Sequence, residues 1–150
     1  MTEACEFPLS NATEEQVKRI LEEAKTIAIV GLSDKPDRDS YRVASYLAAH
    51  GYEIIPVNPN APEILGKKSY PSLKDIPSRV DVVDIFRRPE AVPAIVDEAI
   101  EIGARVIWMQ EGIAHNAAAD KARAAGLDVV MSKCMMKEHR KAFGPTGATR

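Results

Sequence analysis

Apolar positions along the chain fall into two alternating rhythms. Val17, Ile20, Leu21 and Ala24 recur at helical spacing, and Thr13 followed by Gln16 has the form of a capping box, so a leader helix opens near residue 13. Residues 26–31, TIAIVG, are an unbroken β-rich apolar run ending in glycine, the pattern of a strand buried on both faces. A polar loop follows, then a helix from Ser40 to His50 that Gly51 stops. Residues 52–57, YEIIPV, form a second strand; Pro56 removes one ladder donor and belongs at its end. A short strand is expected near Lys67 to Tyr70, before the turn-rich PSLKDIP. VDVVDIF (80–86), RVIWM (105–109) and LDVVM (127–131) are further strands. Helices are expected at 89–102, 114–125 and 133–143, the first two closed by Gly103 and Gly126.

Buried strands alternating with helices imply a parallel sheet with helices on both faces. Right-handed crossovers make it an α/β, Rossmann-like, doubly wound sheet in a single three-layer domain, with strand order 3-2-1-4-5-6 expected. The domain is expected over 13–143, after an extension at 1–12 and before a disordered tail at 144–150, GPTGATR. There is no internal repeat and no low-complexity tract.

Composition narrows the function. With 150 residues the chain is one domain, able to bury roughly 70% of its unfolded surface without a disulfide or metal. A net charge of −2 argues against a general nucleic-acid binder, though local cations could still hold a small polyanion. No stretch reaches the length of a membrane span, and the acidic N-terminus lacks the apolar core of a signal peptide. Cys5 and Cys134 show neither zinc spacing nor a disulfide framework. The expectation is a cytoplasmic protein in a reducing compartment.

In such a sheet, ligands bind outside the carboxyl ends of the strands where the strand order reverses. That rule gathers Gly31, Leu32 and Ser33 with Lys35 and Arg38; Asn58 and Pro59; Phe86, Arg87 and Arg88; and Gln110, Glu111 and Gly112. The first segment offers backbone N–H groups near a helix start, a ready anion site, or is an ordinary strand-ending glycine. After Gly31 the run LSDKPDRDS lacks the later glycines of a dinucleotide fingerprint. The second strand ends PVNPN, without the acid that binds NAD ribose, which counts against NAD. Arg87 and Arg88 are either a phosphate clamp or a solvated pair near Glu90. Gly112 permits close backbone approach to a ligand, while Trp108 and Met109 belong to the core.

Cys134 follows the last strand on the ligand side. It is either a packing residue or a thiol whose pKa Lys133, Lys137 and the helix start would lower. His50 and His139 are expected to be exposed and distant from the site; His115 opens a helix behind Gly112, with no nucleophile or acid assigned beside it. No catalytic constellation emerges, and no metal site is expected.

The segments IAIVGLSDKPDRDSYRVASYLAAHGYEIIPVNP, LGKKSYPSLKDIP, VDVVDIFRRPE and WMQEGI together resemble the small bacterial and archaeal CoA-binding proteins of Rossmann-like fold. The resemblance spans roughly residues 15–142 and extends to the CoA-binding domain of the succinyl-CoA synthetase α subunit. It implies non-covalent binding of coenzyme A or acyl-CoA, without catalysis. By the same resemblance Gly31, Leu32 and Ser33 hold the diphosphate, Asn58 and Pro59 flank the adenosine, Phe86 to Arg88 meet the nucleotide, and Gln110 to Gly112 line the pantetheine path. Asn60 stands where such proteins often carry lysine, so the 3′-phosphate falls to Lys35, Arg38 or the arginines. The synthetase's second domain, with its phosphorylated histidine, has no counterpart here. Three alternatives remain: an NAD(P)-linked enzyme or redox sensor, an interaction module, and an orphan subunit of an acyl-CoA synthetase.

Overall fold

The structure, a computed structural model, describes residues 6–144. Cys5 and the tail from 145 onward lie outside the described residues. Helix α1, Glu14–Glu23, begins with the expected capping box: Thr13 accepts from the Gln16 N–H, and the Gln16 side chain accepts from the Thr13 N–H. Strand β1 is Thr26–Val30, followed by α2, Asp39–Ala49, and β2, Glu53–Val57. Two short strands, β3 (Glu63–Ile64) and β4 (Lys67–Lys68), precede β5, Val82–Ile85. Then come α3, Val92–Glu101; β6, Val106–Met109; α4, Asn116–Ala124; β7, Asp128–Val130; and α5, Met135–Phe143.

Five parallel strands form one sheet in the order β2-β1-β5-β6-β7. The period of two divides each strand between two cores. Ala28, Val30, Val83, Ile85, Ile107 and Met109 pack under α3 and α4. Ile27, Ile29, Val82, Trp108 and Val130 pack under α1, α2 and α5. The chain direction reverses its sense of winding between β1 and β5, so the carboxyl ends of those two strands form the switch point.

The strand order differs from expectation at one edge. The Lys67–Tyr70 segment does not form a sixth strand of the main sheet. It folds back through the Leu65–Gly66 turn, and β4 pairs antiparallel with β3. Tyr70 alone bridges to Val57, and Pro71, having no N–H, cannot extend the ladder. Pro56 sits inside β2 rather than at its end. Its carbonyl accepts from the Tyr70 N–H at 3.0 Å, so its nitrogen also faces outward and leaves the β1–β2 ladder intact. At the opposite edge the Asn11 side chain covers β7, exchanging two hydrogen bonds with the Met131 backbone at 2.8 and 2.9 Å.

His139 is a correction: it is fully buried. Met135 and His139 lie four apart on the inner stripe of α5, and His139 Nδ1 meets the Tyr46 hydroxyl at 2.8 Å. The rings of His50, Tyr52 and Phe143 surround it at 4.9–5.8 Å. His50 is half-buried and stacks on Tyr46.

Candidate functional site

At the switch point the backbone passes unusually close to itself. Gly31 has φ +88°, and a Cβ there would lie 2.3 Å from the Phe86 carbonyl oxygen and 2.9 Å from Arg87 Cδ. Only glycine fits, and its bareness lets the Arg87 stem lie across the end of β1. The Phe86 N–H donates to the Val30 carbonyl and the Gly31 N–H to the Val57 carbonyl, which locks the three strand ends in step.

The loop after β1 is stitched by short polar side chains. The Ser33 N–H donates to Ser40 Oγ and the Lys35 N–H to Ser33 Oγ, each at 3.0 Å. Asn58 donates from Nδ2 to the Leu32 carbonyl at 2.9 Å and accepts at Oδ1 from the Asn60 N–H. Ser33 and Asn58 therefore shape the loop, while Pro59 lies exposed beside it. Lys35, Arg38, Arg87 and Arg88 are exposed and form no ion pair among the described residues.

A cleft of about 460 Å³ opens beside these strand ends. Phe86, Gln110, Glu111 and Gly112 line it, as do Asp39, Arg42 and Val43 from α2 and Cys134, Met136 and Lys137 from α5. Its volume lies within the usual range for small-molecule sites, roughly 300–1,000 Å³. Both α2 and α5 direct their N-termini at this edge, an arrangement that favours anions. Lys137 Nζ meets Glu111 at 2.9 Å and ties α5 to the β6 loop. The Gly112 N–H donates to Ser132 Oγ at 3.1 Å, and the position of its missing Cβ is open space.

Thus Phe86, Gln110, Glu111 and Gly112 are brought into one cleft, and Gly31 and Arg87 into contact at its side. Lys35, Arg38, Pro59 and Arg88 lie outside the cleft lining. Lys137, expected beside Cys134, lines the cleft as well; Asp39 and Arg42 carry no signal in the sequence, because surface charges at helix starts have no distinguishing pattern. Arg42 is committed to Asp39 and to the Asp37 carbonyl.

Asp84 was also passed over, and its signal was present: a carboxylate inside an otherwise apolar strand. It is completely buried between Ile29 and Trp108 of the neighbouring strands. Oδ1 accepts from Gln110 Nε2 at 2.5 Å, whereas Oδ2 has no hydrogen-bond partner among the described residues. Burial pushes its carboxyl up to about 7, opposed only by the Gln110 hydrogen bond.

Cys134 corrects the electrostatic expectation. It caps α5 and lines the cleft, yet burial pushes its thiol up rather than down. The N–H groups of Lys137 and Met136 pull back, while the charges of Glu111 and Asp84 push further up. Lys137 cannot supply the expected cationic help because Glu111 holds it. His115 is buried and caps α4, its Nδ1 accepting from the Ala118 N–H.

Fold and cleft together define a Rossmann-like α/β domain with a cleft at the carboxyl ends of its strands. The chain belongs to the CoA binding domain family, whose sequence pattern matches residues 25–140. It is similar to the Bacillus subtilis protein YneT, 41% identical over 131 residues, covering 87% of this chain and 97% of that one. A hypothetical protein from Pyrococcus horikoshii has the same fold, with a TM-score of 0.87 and 44% identity over 96% of this chain and 100% of that one. The ADP-forming acetate–CoA ligase II of Archaeoglobus fulgidus is 36% identical over 81 residues, 53% of this chain but 12% of the ligase.

Proposed function

We propose that this protein binds coenzyme A or acyl-CoA non-covalently at the carboxyl edge of the sheet and performs no chemistry on it. The observation that carries this reading is the family match over residues 25–140, which takes in every segment of that edge. The diphosphate lies at the β1 loop, where the Ser33 and Lys35 N–H groups already donate within the loop and hold its shape. Arg87 and Arg88 clamp phosphate oxygens, and Lys35 or Arg38 reads the 3′-phosphate. The pantetheine arm runs past Phe86 into the cleft beside Gln110 and Gly112.

Melting curves with CoA and with NAD test the reading. A ligand at about 100 times its Kd adds roughly 2.7 kcal/mol, a rise of about 5–10 °C for a domain of this size. CoA is expected to produce that rise and NAD none; equal shifts, or none with CoA, would refute it. The ligase match favours a second reading, a subunit of an acyl-CoA synthetase. Under the first reading the isolated chain binds CoA fully and forms no ATP from acetyl-CoA, ADP and phosphate. Under the second, a nucleotide-binding partner chain restores ATP formation.

A further inference from the structure

Asp84 has no structural reason to be a carboxylate. Its strand neighbours on the same face are Ile29 and Trp108, and its own strand offers Val82 two residues earlier. An apolar residue would fill the position without burying a charge. One oxygen is held by Gln110 and the other is an orphan, an arrangement that sequences rarely keep without use. Gln110 in turn walls the cleft. Because its Nε2 is given to Asp84, the carbonyl Oε1 is the end left for a ligand, and it has no partner among the described residues.

We propose that Asp84 is a positioning residue that orients the Gln110 amide and thereby sets which hydrogen-bonding groups of a bound chain the cleft accepts. The inference rests on the reading of the cleft as the seat of the pantetheine arm. An ionised Asp84 is acceptor-only, so it holds Nε2 inward and leaves Oε1 as an acceptor for an amide N–H or thiol S–H of the ligand. A protonated Asp84 can donate to Oε1 instead, which turns the amide and presents its NH2 group. Ligand donors therefore favour the ionised form, and binding through them expels the Asp84 proton near neutral pH. The charged and titratable groups around the pair are Cys134 and Lys137 on α5, Glu111 after β6, and Asp39 and Arg42 on α2. Lys137 is paired with Glu111 and Arg42 with Asp39, while burial raises both the Cys134 thiol and the Asp84 carboxyl, the latter to about 7.

The test uses pantetheine and dephospho-CoA, which lack the 3′-phosphate that titrates in the same window. Calorimetric titrations between pH 5.5 and 8.5, each in two buffers of different ionisation enthalpy, read affinity and proton release. Wild-type affinity is expected to rise several-fold through pH 7, with proton release on binding near pH 6.5. Asp84→Asn should bind with a flat profile and release no proton. Infrared difference spectra of the wild type on ligand addition provide a readout without substitution, the protonated-carboxyl band disappearing at pH 6.5. Identical profiles and proton counts in both proteins, or an unchanged carboxyl band, would overturn the inference while leaving CoA binding intact. Failure of wild type to bind CoA at all would instead remove the reading on which it rests.

Discussion

Strand β5 and the loop before it carry two aspartates three residues apart that do opposite work at the two ends of the sheet. Asp81, at the amino edge, receives the Lys25 and Thr26 N–H groups at one carboxylate oxygen, at 2.9 and 3.1 Å. It is half-exposed and closes the start of β1. Asp84, near the carboxyl edge, is sealed in the core with one amide partner and an orphan oxygen. The edges differ in the same way. A cavity of about 310 Å³ at the amino edge is bordered by the C-terminal ends of α1, α3 and α4, including Glu23, Gly103 and Ala125. Arg19 and Arg105 line it together with Glu23, Asp81 and Asp128. The carboxyl edge has helix N-termini, and Lys35, Arg38, Arg87 and Arg88 there form no ion pair among the described residues. Cavities of about 310 and 460 Å³ thus meet opposite helix ends, because α1 to α5 run opposite to the strands.

The two aspartates should separate most clearly in stability. A carboxyl raised in the folded state binds more protons folded than unfolded between about pH 4 and 7, so its contribution falls as pH rises through that window. Relative to wild type, Asp84→Asn should gain stability from pH 5 to pH 8, by roughly 2.5 kcal/mol in urea denaturation. An unchanged difference between the two proteins across that range would mean that Asp84 does not titrate in the folded protein between pH 5 and 8. Asp81→Ala should instead lose about 1–3 kcal/mol, the cost of leaving backbone donors without their acceptor, and keep its affinity for CoA.

Next in size is the contrast between arginines at the two edges. Arg87→Ala and Arg88→Ala should each weaken CoA binding by about 1.5–3 kcal/mol, the range for hydrogen bonds to charged groups. Their unliganded melting curves should move by no more than about 0.5 kcal/mol, as for other exposed changes. Arg19→Ala and Arg105→Ala should leave affinity untouched. If the amino-edge pair lowers affinity and the carboxyl-edge pair does not, the ligand sits at the amino edge of the sheet instead.

The smallest effect concerns Cys134. With its thiol pushed above the ordinary range, reaction with CoA disulfide at pH 7 should be slower than that of a free cysteine, and should accelerate as pH rises past 9. Intact mass against time measures this, with Cys134→Ser as the control. Rapid adduct formation on Cys134 at pH 7 would show that ligand binding opens the site and lowers its pKa.

Local features of this protein can be read directly from residue order. The Thr13–Gln16 capping box, the apolar runs of β1, β5 and β6, and the glycines that end them depend on near neighbours and a fixed period. So does the alternation that makes the sheet parallel, and with it the edge at which Gly31, Phe86, Arg87 and Gln110 to Gly112 must meet. Features that depend on distant partners are another matter. Whether Lys67–Tyr70 joined the main sheet turned on competition with Glu63–Ile64 across a tight turn. The burial of His139 turned on which stripe of α5 faced Tyr46. The Cys134 thiol is governed by burial and by carboxylates 23 and 50 positions away along the chain, Glu111 and Asp84. Asp84 itself was visible as an acid among valines, but its meaning came from the amide of Gln110 on the next strand. Desolvation and hydrogen bonding are properties of surroundings, and those surroundings exist only once the sheet has assembled.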